Sequence, residues 1–300
     1  MPGMVGRPLL QFALQAAGMI GTAAVALAAA CAQNDQEPIL SSECLDRFSK
    51  YQPDDTFRST LRLKIFEALP GGSAKMECSG LVTNAVAGLN KTFAPFNWGF
   101  MVDACETVPD DALNHLDPSA PGVSEKFPEL LRGAVDLFFV DELVDSDELI
   151  WKTLTFPQCT LRAPVGVVEK ADERTTPIRT AQTLGSLFGL LPTDCDRNGV
   201  EHIAREGEGA NCEDRGDRLC STGADPGPYD GYRGAWCDVE CPDAVKCTTG
   251  PGGGEAYAPP IGNAMSPYEC GDQFTDEQMN VMICNYETNL DCLDHIAKTE

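Results

Sequence analysis

Short alternating stretches and longer stripes of 3.6-residue period take turns along the chain. Residues 61–66 (LRLKIF) place Leu61, Leu63 and Ile65 on one side, the period of a half-buried strand. Residues 97–103 repeat the pattern through Trp98, Phe100 and Val102, and 134–140 (AVDLFFV) and 165–168 (VGVV) read as further strands. Between the first two strands, Cys78, Val82, Ala85, Leu89 and Phe93 line one face of a helix over 73–93. A second helix is expected from Thr176, with Thr176 as N-cap and Pro177 at the first helical position, where a missing N–H costs nothing. Its stripe runs Ile178, Ala181, Leu184, Phe188, Leu191, and Pro192 should end it. The last helix opens at Thr275, where Gln278 completes a capping box and Phe274 and Met279 sit at staple positions. Strands and helices in this order predict an α+β fold, a mixed twisted sheet covered by long helices.

The ends of the chain are different in character. Arg7 is followed by an uncharged, alanine-rich run too short to span a membrane, the pattern of a signal peptide over residues 1–30. The run closes on LAAAC (Leu27 to Cys31), which resembles a bacterial lipobox and makes Cys31 the expected lipidation site; cleavage at Ala30-Cys31-Ala32 is the alternative. Residues 31–45 then form an anchor and polar tether, 46–193 the main subdomain, and 194–300 a cysteine-rich subdomain. Six cysteines (Cys195, Cys212, Cys220, Cys237, Cys241, Cys247) fall in its Gly-, Pro- and Asp-rich first part, where cross-links can replace an apolar core.

Composition narrows the function. With 46 acidic against 22 basic side chains and a formal net charge of −24, the chain repels phosphate backbones and anionic lipid surfaces. No nucleic-acid partner is expected, and membrane contact only through the N-terminal lipid. Fourteen cysteines behind a leader place the protein in an oxidising compartment: an outer-membrane or cell-surface lipoprotein, otherwise secreted or periplasmic.

Local motifs carry little chemistry of their own. Asp194, Asp196, Asn198 and Gly199 spell the opening of a calcium loop, but Arg205 stands at its closing position, so an Asp-rich turn is the favoured reading over calcium. Cys237, Cys241 and Cys247 lack the spacing and fourth ligand of a zinc knuckle. GPGGGE at 250–255 has neither the strand nor the lysine of a phosphate loop. His115, His202 and His295 are the only histidines and form no visible triad with a serine or cysteine.

Residues 182–193, QTLGSLFGLLPT, resemble the zinc helix HExxHxxGxxHT of metzincins as found in the pappalysin branch, the pregnancy-associated plasma protein-A-type metallopeptidases. Upstream, AVDLFFVDEL and PVGVVEKADERTTPIRTAQTLG are similar to strand segments leading into that helix. Downstream, GANCEDRGDRLCSTGADPG resembles NCxxxGDxxCDTPADP, and NAMSPYECGDQFTDEQMNVM resembles the family's Met-turn and final helix. The resemblance covers residues 59–286 in order. It implies a metzincin-like mixed sheet with two long helices, a disulfide-tied C-terminal subdomain, a turn at Gly189 and a Met-turn at Met265.

The chemical residues are replaced. Aligned on Gly189, the three ligand positions hold Gln182, Ser186 and Pro192, and Thr183 stands for the general base. A catalytic zinc needs imidazoles and a carboxylate at such positions. Neither zinc nor any other cofactor is therefore expected, and no catalytic residue is assigned. Pro267 replaces the family's usual tyrosine, leaving open whether Tyr268 takes its role, and Ser221 and Gly223 replace an aspartate and a proline. The expectation is a catalytically inactive homologue on the cell envelope, binding a peptide or protein by strand addition in the vestigial cleft. An active zinc peptidase with rearranged ligands and a purely structural envelope lipoprotein are the alternatives.

Overall fold

The alternation in LRLKIF extends into an eleven-residue strand, β1 (Ser59–Leu69). Helix α1 (Gly80–Phe93) and a 3-10 turn (Ala94–Phe96) lead to β2 (Trp98–Pro109). After them come α2 (Asp111–Asn114), β3 (His115–Leu116), β4 (Val135–Val140), β5 (Glu142–Leu143), β6 (Thr153–Phe156) and β7 (Val165–Glu169). The chain closes with α3 (Thr175–Leu187), the hairpin β8 (Cys237–Glu240) and β9 (Ala244–Cys247), and α4 (Asp276–Thr288). These elements come from a computed structural model, which describes residues 59–74, 77–117, 127, 134–144, 153–156, 165–194, 211–212, 216–227, 237–241, 244–247 and 256–288. The expected signal peptide, Cys31 and the tether lie outside the described residues, as do Asp196, Asn198, His202 and His295.

The main sheet has the order β2-β1-β4-β7-β6. β1, β2, β4 and β7 are parallel and β6 alone is antiparallel, so the architecture is mixed α/β with an antiparallel edge. Both faces are covered. Leu61, Leu63 and Ile65 of β1 join Val135, Leu137 and Phe139 of β4 in a core shared with α1, α3 and α4. Phe66 and Ala68 point the other way, with Phe138, Val140, Val165 and Val167, against Leu113, Leu116 and Phe127. Each large side chain so buried contributes about 1.5–3 kcal/mol. That double coverage explains why the β4 sequence, VDLFFV, is apolar nearly throughout.

Three of the expected boundaries change. α1 starts at Gly80, well after residue 73, because the Pro70-Gly71-Gly72 turn, with Gly72 at φ 82°, keeps the chain non-helical there. Cys78 consequently lies ahead of the helix, in a disulfide with Cys105 of β2. The start itself is set by Ser79 as N-cap, while Glu67 Oε2 of β1 accepts the Ser79 N–H at 2.6 Å. α3 begins at Thr175, since Asp172 Oδ1 accepts the N–H groups of Arg174 (2.9 Å) and Thr175 (2.7 Å). Thr176 is thus inside the helix, its Oγ1 accepting from Ala171 N. Those amide bonds, Thr175's first, hold the Asp172 carboxyl below its ordinary range.

α3 also ends early, at Leu187 rather than at Pro192. Gly189, at φ 90°, is the reason: its N–H donates to Ser186 O (3.1 Å) and the Leu190 N–H to Gly185 O (2.9 Å), a Schellman stop. The three helices that periodicity and capping predict are thirteen or fourteen residues each, where the resemblance implies two long ones. At α4 the capping box forms as expected. Gln278 N donates to Thr275 Oγ1 at 3.1 Å and Thr275 N to Gln278 Oε1 at 3.0 Å.

Edge strand β2 carries the exposed Met101 (51%) and Val102 (41%). It is nevertheless poorly suited to further pairing. Asp103 is an extra residue bulged out of register with β1, paired instead to Arg62 at 2.6 Å, and Asn90 of α1 bonds both the N–H and the carbonyl of Phe100.

Candidate functional site

The C-terminal half of α3 is where the metal-binding residues of the resembled family would stand. Gln182 is 1% exposed, and its Nε2 donates to the carbonyl of Ser266 at 2.9 Å. Thr183 is fully buried and donates its hydroxyl to Arg179 O at 2.8 Å, one turn back on the same helix. Its methyl lies over Gly166 of β7, where an added Cβ would collide with it. Ser186 and Pro192 are half-buried. α3 therefore approaches the sheet closely through Gly166.

The loop at 263–270 closes against the other side of α3. Met265 is buried, with its sulfur against Gly185. Thr193 N donates to Met265 O at 3.0 Å, and Met265 N donates to Asn263 Oδ1 at 2.8 Å. Asn263 exchanges amide hydrogen bonds with Gln278 (2.7 and 3.1 Å), so the α4 capping box also orients this loop. Farther up α3, the 9%-exposed Arg179 holds Glu269 at 2.6 Å and Glu169 at 3.3 Å. Glu269 itself adopts a left-handed backbone at φ 52°. Arg174 reaches Cys270 O at 3.4 Å, and a disulfide joins Cys270 to Cys241 of the β8–β9 hairpin.

Tyr268 does not present its hydroxyl to a cleft. It donates to Asp225 Oδ1 at 2.9 Å, and Asp225 Oδ2 accepts from Thr193 Oγ1 at 2.7 Å. Burial pushes the Tyr268 hydroxyl far above its ordinary range, reinforced by the charges of Asp225 and Asp194. Ser221 bonds the α4 cap through Thr275 Oγ1 (2.9 Å), and Gly223 is needed where Ala258 O lies 2.8 Å from where a Cβ would sit.

These residues do not fit a zinc ion. The Gln182 amide nitrogen is directed at a backbone carbonyl, Thr183 cannot act as a proton acceptor at neutral pH, and Pro192 has no side-chain donor atom. Among the described residues no three His, Cys, Asp or Glu side chains come together to hold a metal. Asp194 faces Gly227, 3.2 Å from where a Cβ would stand. Cys237 pairs with Cys247 and Cys241 with Cys270, so the knuckle spacing is a pair of disulfides; Cys212 pairs with Cys220. His115 is exposed and bonds Glu142 at 2.9 Å, remote in sequence from α3. No family model and no curated protein matches this chain in comparisons with known proteins.

Sequence reasoning found the helix positions but missed the groups that hold them. Arg179, Asp225 and Asn263 make contacts 90, 43 and 15 residues away. Only the capping box among these carried a local signal.

Proposed function

We propose that this chain is a non-catalytic, metzincin-like protein of the pappalysin type, exported and anchored through Cys31, that holds an extended peptide or protein segment along the β6 edge. Support for the scaffold comes from the single antiparallel edge strand beside β7, the helix α3 that follows β7, its stop at Gly189, and Met265 packed beneath it. The observation that carries the loss of catalysis is the buried hydrogen bond from Gln182 Nε2 to Ser266 O. A polar group buried in this way is committed to its internal partner, since releasing it unpaired costs about 1–3 kcal/mol. β6 stands last in the strand order, and an edge strand can offer N–H and C=O groups to an incoming segment.

The burial of Gln182, Thr183 and Met265 together favours a second reading, a structural envelope protein whose cleft floor is filled by its own side chains. Hydrogen exchange of the full chain with a soluble library of extended decapeptides separates the two. Strand addition is expected to slow the amides of β6 that face away from β7 about tenfold at saturation. Unchanged exchange there at millimolar peptide would leave the structural reading.

A further inference from the structure

We propose that Asp225 is a proton-operated clasp, fastening the 263–270 loop and the β8–β9 hairpin to the exit of α3 more tightly in acid than at neutral pH. Three chain segments meet on this one carboxyl group, which is 3% exposed. Thr193 Oγ1, just past α3, donates to Oδ2 at 2.7 Å. Tyr268 Oη, from the loop, donates to Oδ1 at 2.9 Å. Gly227 N also donates to Oδ1 at 2.9 Å, and Gly227 O in turn accepts the N–H of Cys237, the first residue of the hairpin, at 3.0 Å.

All three donors are neutral. Among the described residues no cationic side chain acts on Asp225. Among the described residues the titratable groups facing the cluster are Tyr268 from the loop and Asp194 from the α3 exit, whose negative charge acts on Tyr268. The other buried carboxylate of this segment, Asp217, is engaged separately by Leu219 N and Thr222 Oγ1. Glu269 is neutralised by Arg179.

A buried carboxylate without a counter-charge favours its protonated form. Protonated, Asp225 can donate to Thr193 Oγ1 and still accept from Tyr268 and Gly227, with no charge confined in the interior. Ionised, it keeps three acceptor bonds but holds a charge away from water. Burial raises the Asp225 carboxyl above the ordinary aspartate range, outweighing the opposing pull of Thr193, Gly227 and Tyr268. Because the folded value exceeds the unfolded one, about 3.9, the stabilising contribution is complete below that value. It is lost as pH rises through the raised folded value. The loop that underlies α3 is therefore locked in acid and opens more often on neutralisation.

The test is hydrogen exchange of the full chain between pH 4 and 8.5, corrected for intrinsic rates, followed at the amides of Thr193, Ser266 and Cys237. Wild type is expected to lose protection severalfold at all three across one transition, the direction that follows from a buried carboxyl held above its ordinary range. Asp225→Asn keeps an acceptor for Gly227 and Tyr268 and a donor for Thr193, and is expected to be flat. Tyr268→Phe removes a donor to the charged form and is expected to move the transition to higher pH, which a merely structural contact would not do. Protection independent of pH in wild type, or the same transition in Asp225→Asn, would overturn the clasp. Should Asp225→Asn fail to fold, an unmoved midpoint in Tyr268→Phe would overturn it equally.

Discussion

Gly271→Ala is expected to destabilise the fold by about 3 kcal/mol or more, whereas Gly262→Ala, at the residue it faces, is expected to change stability by no more than about 0.5 kcal/mol. The two glycines are in backbone contact, yet their Cβ positions differ completely. A methyl on Gly271 would overlap the main chain of Gly262, and main chain cannot rotate aside; around Gly262 the corresponding space is open. Their approach is fixed by the ladder beside them, in which Gln273 N donates to Gly262 O at 3.2 Å and Ala264 N to Gln273 O at 2.7 Å. Met265 follows directly, so separating the two segments would withdraw the residue packed beneath α3. Urea unfolding of the two variants checks the contrast. Equal midpoints would mean that this close approach is absent in solution.

Gln182→Ala is the second large effect, expected at about 2–4 kcal/mol. It combines a cavity in a fully packed helix face with the loss of the donor to the buried Ser266 carbonyl. Gln182→His should cost less, because a ring N–H can reach toward the same carbonyl. Denaturant midpoints at fixed pH rank the three proteins, and a Gln182→Ala protein as stable as wild type would show that this amide is not part of the packing.

How far such residues announce themselves in sequence depends on the range of their partners. Thr275 and Gln278 are three residues apart, and their mutual bonds follow from spacing alone. The alternation of Leu61, Leu63 and Ile65 likewise names a buried face. Local signals failed where two of them competed. Thr176 with Pro177 looks like a helix start, but Asp172 reaches two amides and wins; Pro192 looks like a stop, but Gly189 can adopt positive φ and stops the helix first. β6, with four residues, and the β8–β9 hairpin are too short for a period to register.

The site was half legible for the same reason. Gln182, Thr183, Ser186 and Pro192 fall in one short stretch of sequence, and their unfitness as zinc ligands or proton acceptor is a matter of side-chain chemistry. What those residues do instead depends on Ser266, Arg179 and Gly166, and Thr183 meets Gly166 only because α3 folds back on β7. Asp225 joins residues 193 and 268 without any pattern linking the three. Cysteine number signals cross-linking, while the pairing of Cys241 with Cys270 requires the hairpin to be seen beside the loop.

Metal analysis of the full chain, expressed and purified with zinc present, tests most directly whether α3 can hold a metal ion. The expected result is less than about a tenth of a zinc ion per chain, unchanged in Ser186→Ala, because an amide, a hydroxyl and a proline cannot form a tight zinc site. One zinc per chain, lost on replacing Gln182 or Ser186 by alanine, would contradict it.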